Sequence, residues 1–216
     1  MTTDQSAPDP GSYLAEPQAA GGGPGVLVVH DWYGLLSSVR ERCDALAAAG
    51  FVALAPDLYD GRTAGDDGEA ERLMDELEAP AARKRLDEAV GWLAAAGGGH
   101  VGAVGFSMGG SLALTETTAG TLDAVVAYYA TLDPASARSV ACPVLLQLAE
   151  DDEWDQEATP ERFLEVLREH GEAEEFTYPG TVHSFANADI VAKFAPDAAA
   201  TAWTRSVAFL QRHLQP

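Results

Sequence analysis

The chain has 216 residues, enough for one domain with a full core, whereas two domains would each be small. Apolar residues make up 47% of it, and no uncharged run approaches the ~18 apolar residues that a membrane span requires. A formal net charge of −21, with Lys84 and Lys193 the only lysines, excludes electrostatic attraction to nucleic acid or to an anionic membrane surface.

The first ten residues carry neither the basic flank nor the apolar stretch of a secretory signal, so they are expected to be disordered and the protein cytoplasmic. Ser12–Ala15 is a candidate edge strand, and after the breaker AAGGGPG the run Val26–Val29 predicts a buried strand. The loop HDWYG follows, then Ser38-Val39-Arg40-Glu41, whose S-x-x-E spacing predicts a capping box on a helix stopping at Gly50. Phe51–Ala55 predicts a second buried strand, and 57–68 a loop. Helices are predicted over Glu69–Glu78 and Pro80–Ala96, the second with proline in its first turn and three glycines beyond its end. The strand Val101–Phe106 is followed by Ser107 and a helix to about Thr118. Ala124–Tyr129 and Pro143–Leu148 predict two more strands. Thr159-Pro160-Glu161 is an N-cap for a helix stopping at Gly171, Glu175–Tyr178 a further strand, and Asp197–Leu214 the last helix.

Strands apolar throughout and alternating with helices predict a single α/β domain over 1–216, with a mostly parallel sheet of about seven or eight strands covered on both faces. The short connection Ala130–Cys142 leaves no room for a large lid. In such sheets the ligand crevice lies beyond the carboxyl ends of the strands, so the loops after Val29, Phe106, Leu148 and Tyr178 are expected to converge. Cys43 and Cys142 lack any disulfide or zinc spacing, and neither metal nor cofactor is expected. The acidity reads as a solvated shell, with adaptation to high salt as a further hypothesis.

Gly105-Phe106-Ser107-Met108-Gly109 is a G-x-S-x-G between a strand and a helix, where small neighbours allow a strained serine to project over the sheet edge. A serine hydroxyl attacks only if a base takes its proton, and an imidazole serves only if a third group fixes its tautomer. Of five histidines, His30 lies on the right side of the sheet, but His183, after Glu175–Tyr178, also has the right place in chain order, serine, acid, histidine. His100 precedes the strand Val101–Phe106 at the far end of the sheet, and His170 and His213 have plain electrostatic or surface readings. The acid belongs to Glu150-Asp151-Asp152; Asp152 is favoured because the chain must turn back before a carboxylate reaches an imidazole, with Asp151 its nearest rival. The backbone N–H groups of Met108 and Trp32 are expected to hold the oxyanion. Trp32, Tyr33 and Phe185 are candidate walls of an apolar acyl pocket.

Together VLVVHDWYGL, FVALAPDLYDG, VGFSMGG, PVLLQLAEDD and YPGTVHSFAN resemble the dienelactone hydrolase family, in order and over nearly the whole chain. The resemblance implies an α/β-hydrolase fold without a large lid and hydrolysis of an ester or lactone through an acyl-enzyme. Founding members of the family carry cysteine where Ser107 stands, glutamate in place of Asp31, and a carboxylate-holding arginine in place of Asn187. Asp31 is therefore an auxiliary candidate only, Arg72 is a candidate source of positive charge, and dienelactone itself is not the expected substrate. The reading is a serine hydrolase for small carboxylic esters, lactones or thioesters, monomeric or a small homo-oligomer. Its rivals are a peptidase or acyltransferase with the same triad and a non-catalytic binding protein of the same fold.

Overall fold

The computed structural model describes residues 9, 11–18, 22–117, 120–154 and 160–215. The expected disorder of residues 1–10 therefore falls, Asp9 apart, outside the described residues. Seven strands form one sheet in the order β1 (Tyr13–Ala15), β3 (Val52–Ala55), β2 (Gly25–Val29), β4 (Val101–Phe106), β5 (Ala124–Tyr128), β6 (Val144–Asp151) and β7 (Ala173–Val182). Only β1 runs antiparallel, pairing Tyr13 with Ala55, and every other pair is parallel. The helices are α1 (Ser37–Ala48), α2 (Asp67–Glu76), α3 (Ala79–Ala96), α4 (Met108–Glu116), α5 (Pro160–His170) and α6 (Pro196–Leu214).

Alternation along the strands explains the three layers, because successive side chains point to opposite faces. Leu27 and Val29 of β2 join Leu86, Leu93, Leu114 and Phe163 in a core under α2 to α5. Val26 and Val28 join Val39, Leu46, Phe209 and Leu210 in a second core under α1 and α6. With both faces covered, the strands are apolar throughout, which is why they read as continuous runs in the sequence.

From β2 the chain moves outward to β3, then returns across β2 to β4 and continues the other way. The order reverses between β2 and β4, and an open α/β sheet offers a crevice at the carboxyl ends of such a pair. Residues 30–34 leave β2 there and Ser107 leaves β4 there. Between β5 and β6 the only regular element is a short 3₁₀ turn, Ser136–Ser139, so no cap domain interrupts the crevice. Among the described residues no helix is long and apolar enough to cross a membrane.

Three local expectations are corrected. The capping box at Ser38 and Glu41 does not form: α1 begins after Leu36 without a side-chain cap. Instead the Asp189 carboxylate accepts from Ser37 Oγ (2.5 Å) and the Ser38 N–H (2.8 Å), a tertiary partner displacing the local one. Both β6 and β7 run past their predicted ends, because Asp151 pairs with Val182 across a register shift that follows Ala149. Helix α2 begins at Asp67, capped by the Asp66 side chain accepting from the Glu69 N–H at 2.9 Å. Thr159, the expected cap of α5, and Thr118, the expected end of α4, lie outside the described residues.

Candidate active site

Ser107 sits between β4 and α4 with φ 50° and ψ −117°, a left-handed backbone that costs a non-glycine residue on the order of 1–3 kcal/mol. The turn is possible because its neighbours lack side chains. A Cβ on Gly105 would overlap the Gly109 carbonyl, and one on Gly109 would overlap the carbonyls of Val29 and His30. The start of α4 thereby packs directly on the end of β2, with the serine hydroxyl at the positive end of the helix.

His183 follows β7 and is almost fully buried. Its Nε2 lies 2.7 Å from Ser107 Oγ, and its Nδ1 lies 2.8 Å from both Asp152 oxygens. A carboxylate only accepts, so Nδ1 carries the proton and Nε2 is left to accept from the serine hydroxyl. Asp152 also accepts from the Trp154 N–H at 3.1 Å, which holds the carboxylate in place. The register shift between β6 and β7 lies directly before this residue, and such irregularities re-aim the side chain that follows. The other two acids go elsewhere: Glu150 accepts from the Gly180 N–H at 2.8 Å, and Asp151 is exposed.

His30 is fully buried and faces away from this chain of bonds. Its Nε2 accepts from the Leu58 N–H at 3.2 Å, leaving Nδ1 to donate to the Asp31 carbonyl at 2.6 Å, and burial pushes its pKa down. His100 meets Asp123, His213 meets Glu172, and His170 bonds back to the Val166 carbonyl.

Asp31 is buried, accepts from the Tyr33 N–H at 3.0 Å and from Asn187 Nδ2 at 2.8 Å, and burial raises its pKa to about 6. It shapes the loop after β2 and ties it to the loop after β7, and it makes no hydrogen bond to Ser107 or His183. Among the described residues neither the Trp32 N–H nor the Met108 N–H donates to a protein acceptor, and both residues border the same cleft.

That cleft has a volume of about 370 Å³. Ser107, Ser111 and Thr115 lie one turn apart along α4, facing Tyr129 to Thr131 after β5, with Met74 of α2, Met108 and Leu112 completing the walls. Trp32 and Trp154 meet edge-on at the mouth, ring centroids 5.1 Å apart, with Trp154 54% exposed. Three expected pocket residues are corrected. Tyr33 is fully buried, its hydroxyl donating to Asp67 at 2.5 Å, and does not line the cleft. Phe185 is fully buried on the other side of the sheet against Tyr128, Tyr129 and Tyr178. Arg72 points into solvent from α2 and bonds back to the Gly68 carbonyl. Sequence reasoning missed Tyr129, whose ring lies 5.0 Å from that of His183 and whose buried hydroxyl has no hydrogen-bond partner among the described residues. It also missed Trp154; the position of each directly beyond a strand or its acid was the available signal.

A mostly parallel sheet, with a serine at the strand-to-helix turn and a histidine and an aspartate bonded in line with it, has the architecture of an α/β-hydrolase, and the chain is a carboxylic ester hydrolase of that fold. The sequence profile of the dienelactone hydrolase family matches residues 11–214, and the chain belongs to that family. A putative carboxymethylenebutenolidase of Aquifex aeolicus is 32% identical, covering 94% of this chain and 93% of its own. One from Azospirillum brasilense is 31% identical over 98% of this chain and 99% of its own. The crystal structure of a putative dienelactone hydrolase from Klebsiella pneumoniae superposes with a TM-score of 0.81 at 26% identity, covering 93% of this chain and 92% of its own.

Proposed function

We propose that Ser107 is the nucleophile of this hydrolase, His183 its general base and acid, and Asp152 the group that orients His183. The observation that carries the reading is the unbroken hydrogen-bonded line from Ser107 Oγ through both imidazole nitrogens to Asp152, at 2.7 and 2.8 Å. Ser107 Oγ attacks the acyl carbon while its proton passes to His183 Nε2, and Asp152 stabilises the imidazolium that forms. The tetrahedral oxyanion is held by the N–H groups of Met108 and Trp32, each worth on the order of 3 kcal/mol in the transition state. The alkoxide leaves with the proton from Nε2. Water then attacks the acyl-enzyme, gives a proton to Nε2, and releases the carboxylic acid as Ser107 regains its hydrogen.

The substrates are small esters, lactones or thioesters. Lactone opening is supported by the family and by the relatives called carboxymethylenebutenolidases. Asn187, bonded to Asp31 and Ser38 away from the cleft, is not a substrate-holding group. A net charge of −21 supports a protein with neither nucleic-acid nor anionic-membrane partners; the cytoplasm as its compartment and a monomer or small homo-oligomer as its state are part of the same proposal.

A fluorophosphonate probe, which phosphonylates an activated serine, is expected to label the wild type at one site, identified by mass spectrometry as Ser107. Ser107→Ala should abolish labelling and lower ester kcat/KM by at least about four orders of magnitude, and Asp152→Asn by about four. Labelling at another serine, or activity retained in Ser107→Ala, would contradict the assignment.

A further inference from the structure

The cleft beside Ser107 is a channel whose described lining holds no lysine or arginine. From Ser107 to Thr115 it follows α4 for eight residues, about 12 Å at the helical rise. Its apolar side is Met74, Met108 and Leu112. Cations outside the lining are committed or turned outward: Arg42, whose charge acts on Tyr129, donates to the Ala186 carbonyl and lies over the Trp203 ring, Lys193 pairs with Asp67 and the Tyr33 hydroxyl, Arg62 with Glu76, and Arg72 bonds its own helix in solvent. Polarity along the channel also has a direction. The positive end of α4 lies at Ser107, where an oxyanion would form, whereas the distal end lies beside the negative end of the same helix. The field of a chain carrying −21 adds to this.

We propose that this cleft selects uncharged alkyl or aryl esters and rejects esters whose acyl chain ends in a carboxylate. The inference rests on Ser107 acting as nucleophile, and extends it to the class of substrate. A carboxylate carried along the channel would leave water for a cleft walled by Met74, Met108 and Leu112 and by the neutral residues Ser111, Thr115 and Thr131, with no cation among the described lining residues to pair it, and would end at a helix C-terminus. An uncharged acyl chain loses nothing there and gains from apolar burial.

The test is a matched pair, p-nitrophenyl hexanoate and the mono-p-nitrophenyl ester of adipic acid, assayed on the full chain at low and at molar salt beside fluorophosphonate labelling. The expected kcat/KM ratio is at least about 100-fold in favour of the hexanoate at low salt. Molar salt screens the surface field and lowers that ratio, but at least about tenfold should remain from the cleft itself. Leu112→Arg, which places a cation midway along the channel, should shift the ratio at least about tenfold toward the adipate ester. An adipate ester turned over as well as the hexanoate at either salt, or labelling with turnover of neither, overturns the inference and leaves the nucleophile standing. Loss of wild-type labelling together with turnover of neither ester removes both.

Discussion

The turn that carries Ser107 and the loop that carries His183 bring their side chains to 2.7 Å by opposite means. The serine turn is held by backbone contact: Gly105 and Gly109 let β4, α4 and the end of β2 touch where no side chain fits. The histidine loop is held by side chains. Asn187 donates to Asp31 and accepts from Ser38 Oγ at 3.2 Å, and Asp189 receives Ser37 and Ser38 of α1. These bonds tie the loop after β7 to the loop after β2, whose Trp32 borders the cleft. Backbone contact of this kind tolerates no added atom, whereas a hydrogen-bonded clamp loses its grip one partner at a time.

Breaking the first region should therefore have the larger effect. Gly109→Ala drives a methyl into the Val29 and His30 carbonyls, and is expected to destabilise the fold by on the order of 3 kcal/mol. Denaturant titration checks this, and fluorophosphonate labelling should fall with it even where the variant remains folded. Asn187→Ala strips one donor from the buried Asp31 carboxylate, with an expected loss of about 1–3 kcal/mol. Because His183 is displaced rather than removed, ester kcat/KM should fall about tenfold with Ser107 still labelled.

The smallest effect sharpens the comparison through pH. Burial holds Asp31 at about 6 in the folded protein, above its ordinary 3.8, so the folded state binds the proton more tightly than the unfolded chain. Stability from this group is full below the unfolded value and is lost as pH rises through about 6. Between pH 7 and pH 5 the wild type is expected to gain about 1 kcal/mol relative to Asp31→Asn. Parallel stability curves for the two proteins over that range would show that the carboxylate is not the buried, proton-hungry group of this clamp.

Most of the fold was legible because its signals are local. Val26–Val29, Val101–Phe106 and Ala124–Tyr128 are apolar at every position, and the burial of both faces that this implies is what a parallel sheet under two helical layers provides. The strand–serine–helix junction was readable for the same reason, since a strained turn needs its glycines within two residues of it. Other features were hidden by tertiary competition. Ser38 and Glu41 have the spacing of a capping box, but Asp189, about 150 positions away, reaches the helix start first. Tyr33 and Phe185 are aromatic residues near the right strand ends, yet both are absorbed by the core. Nothing in a one-dimensional pattern distinguishes an aromatic side chain pointing into a cleft from one pointing beneath it.

The sequence by itself determined the α/β class, the order of the strands' chemistry and the serine and histidine that the fold draws together, because each depends on periodicity or on residues adjacent in the chain. The tertiary structure decided which of three neighbouring acids faces His183, since the register shift after Ala149 turns Asp152 inward and leaves Asp151 exposed. It also decided what lines the cleft, because Trp154 and Met74 arrive there from separate elements whose packing no local pattern encodes.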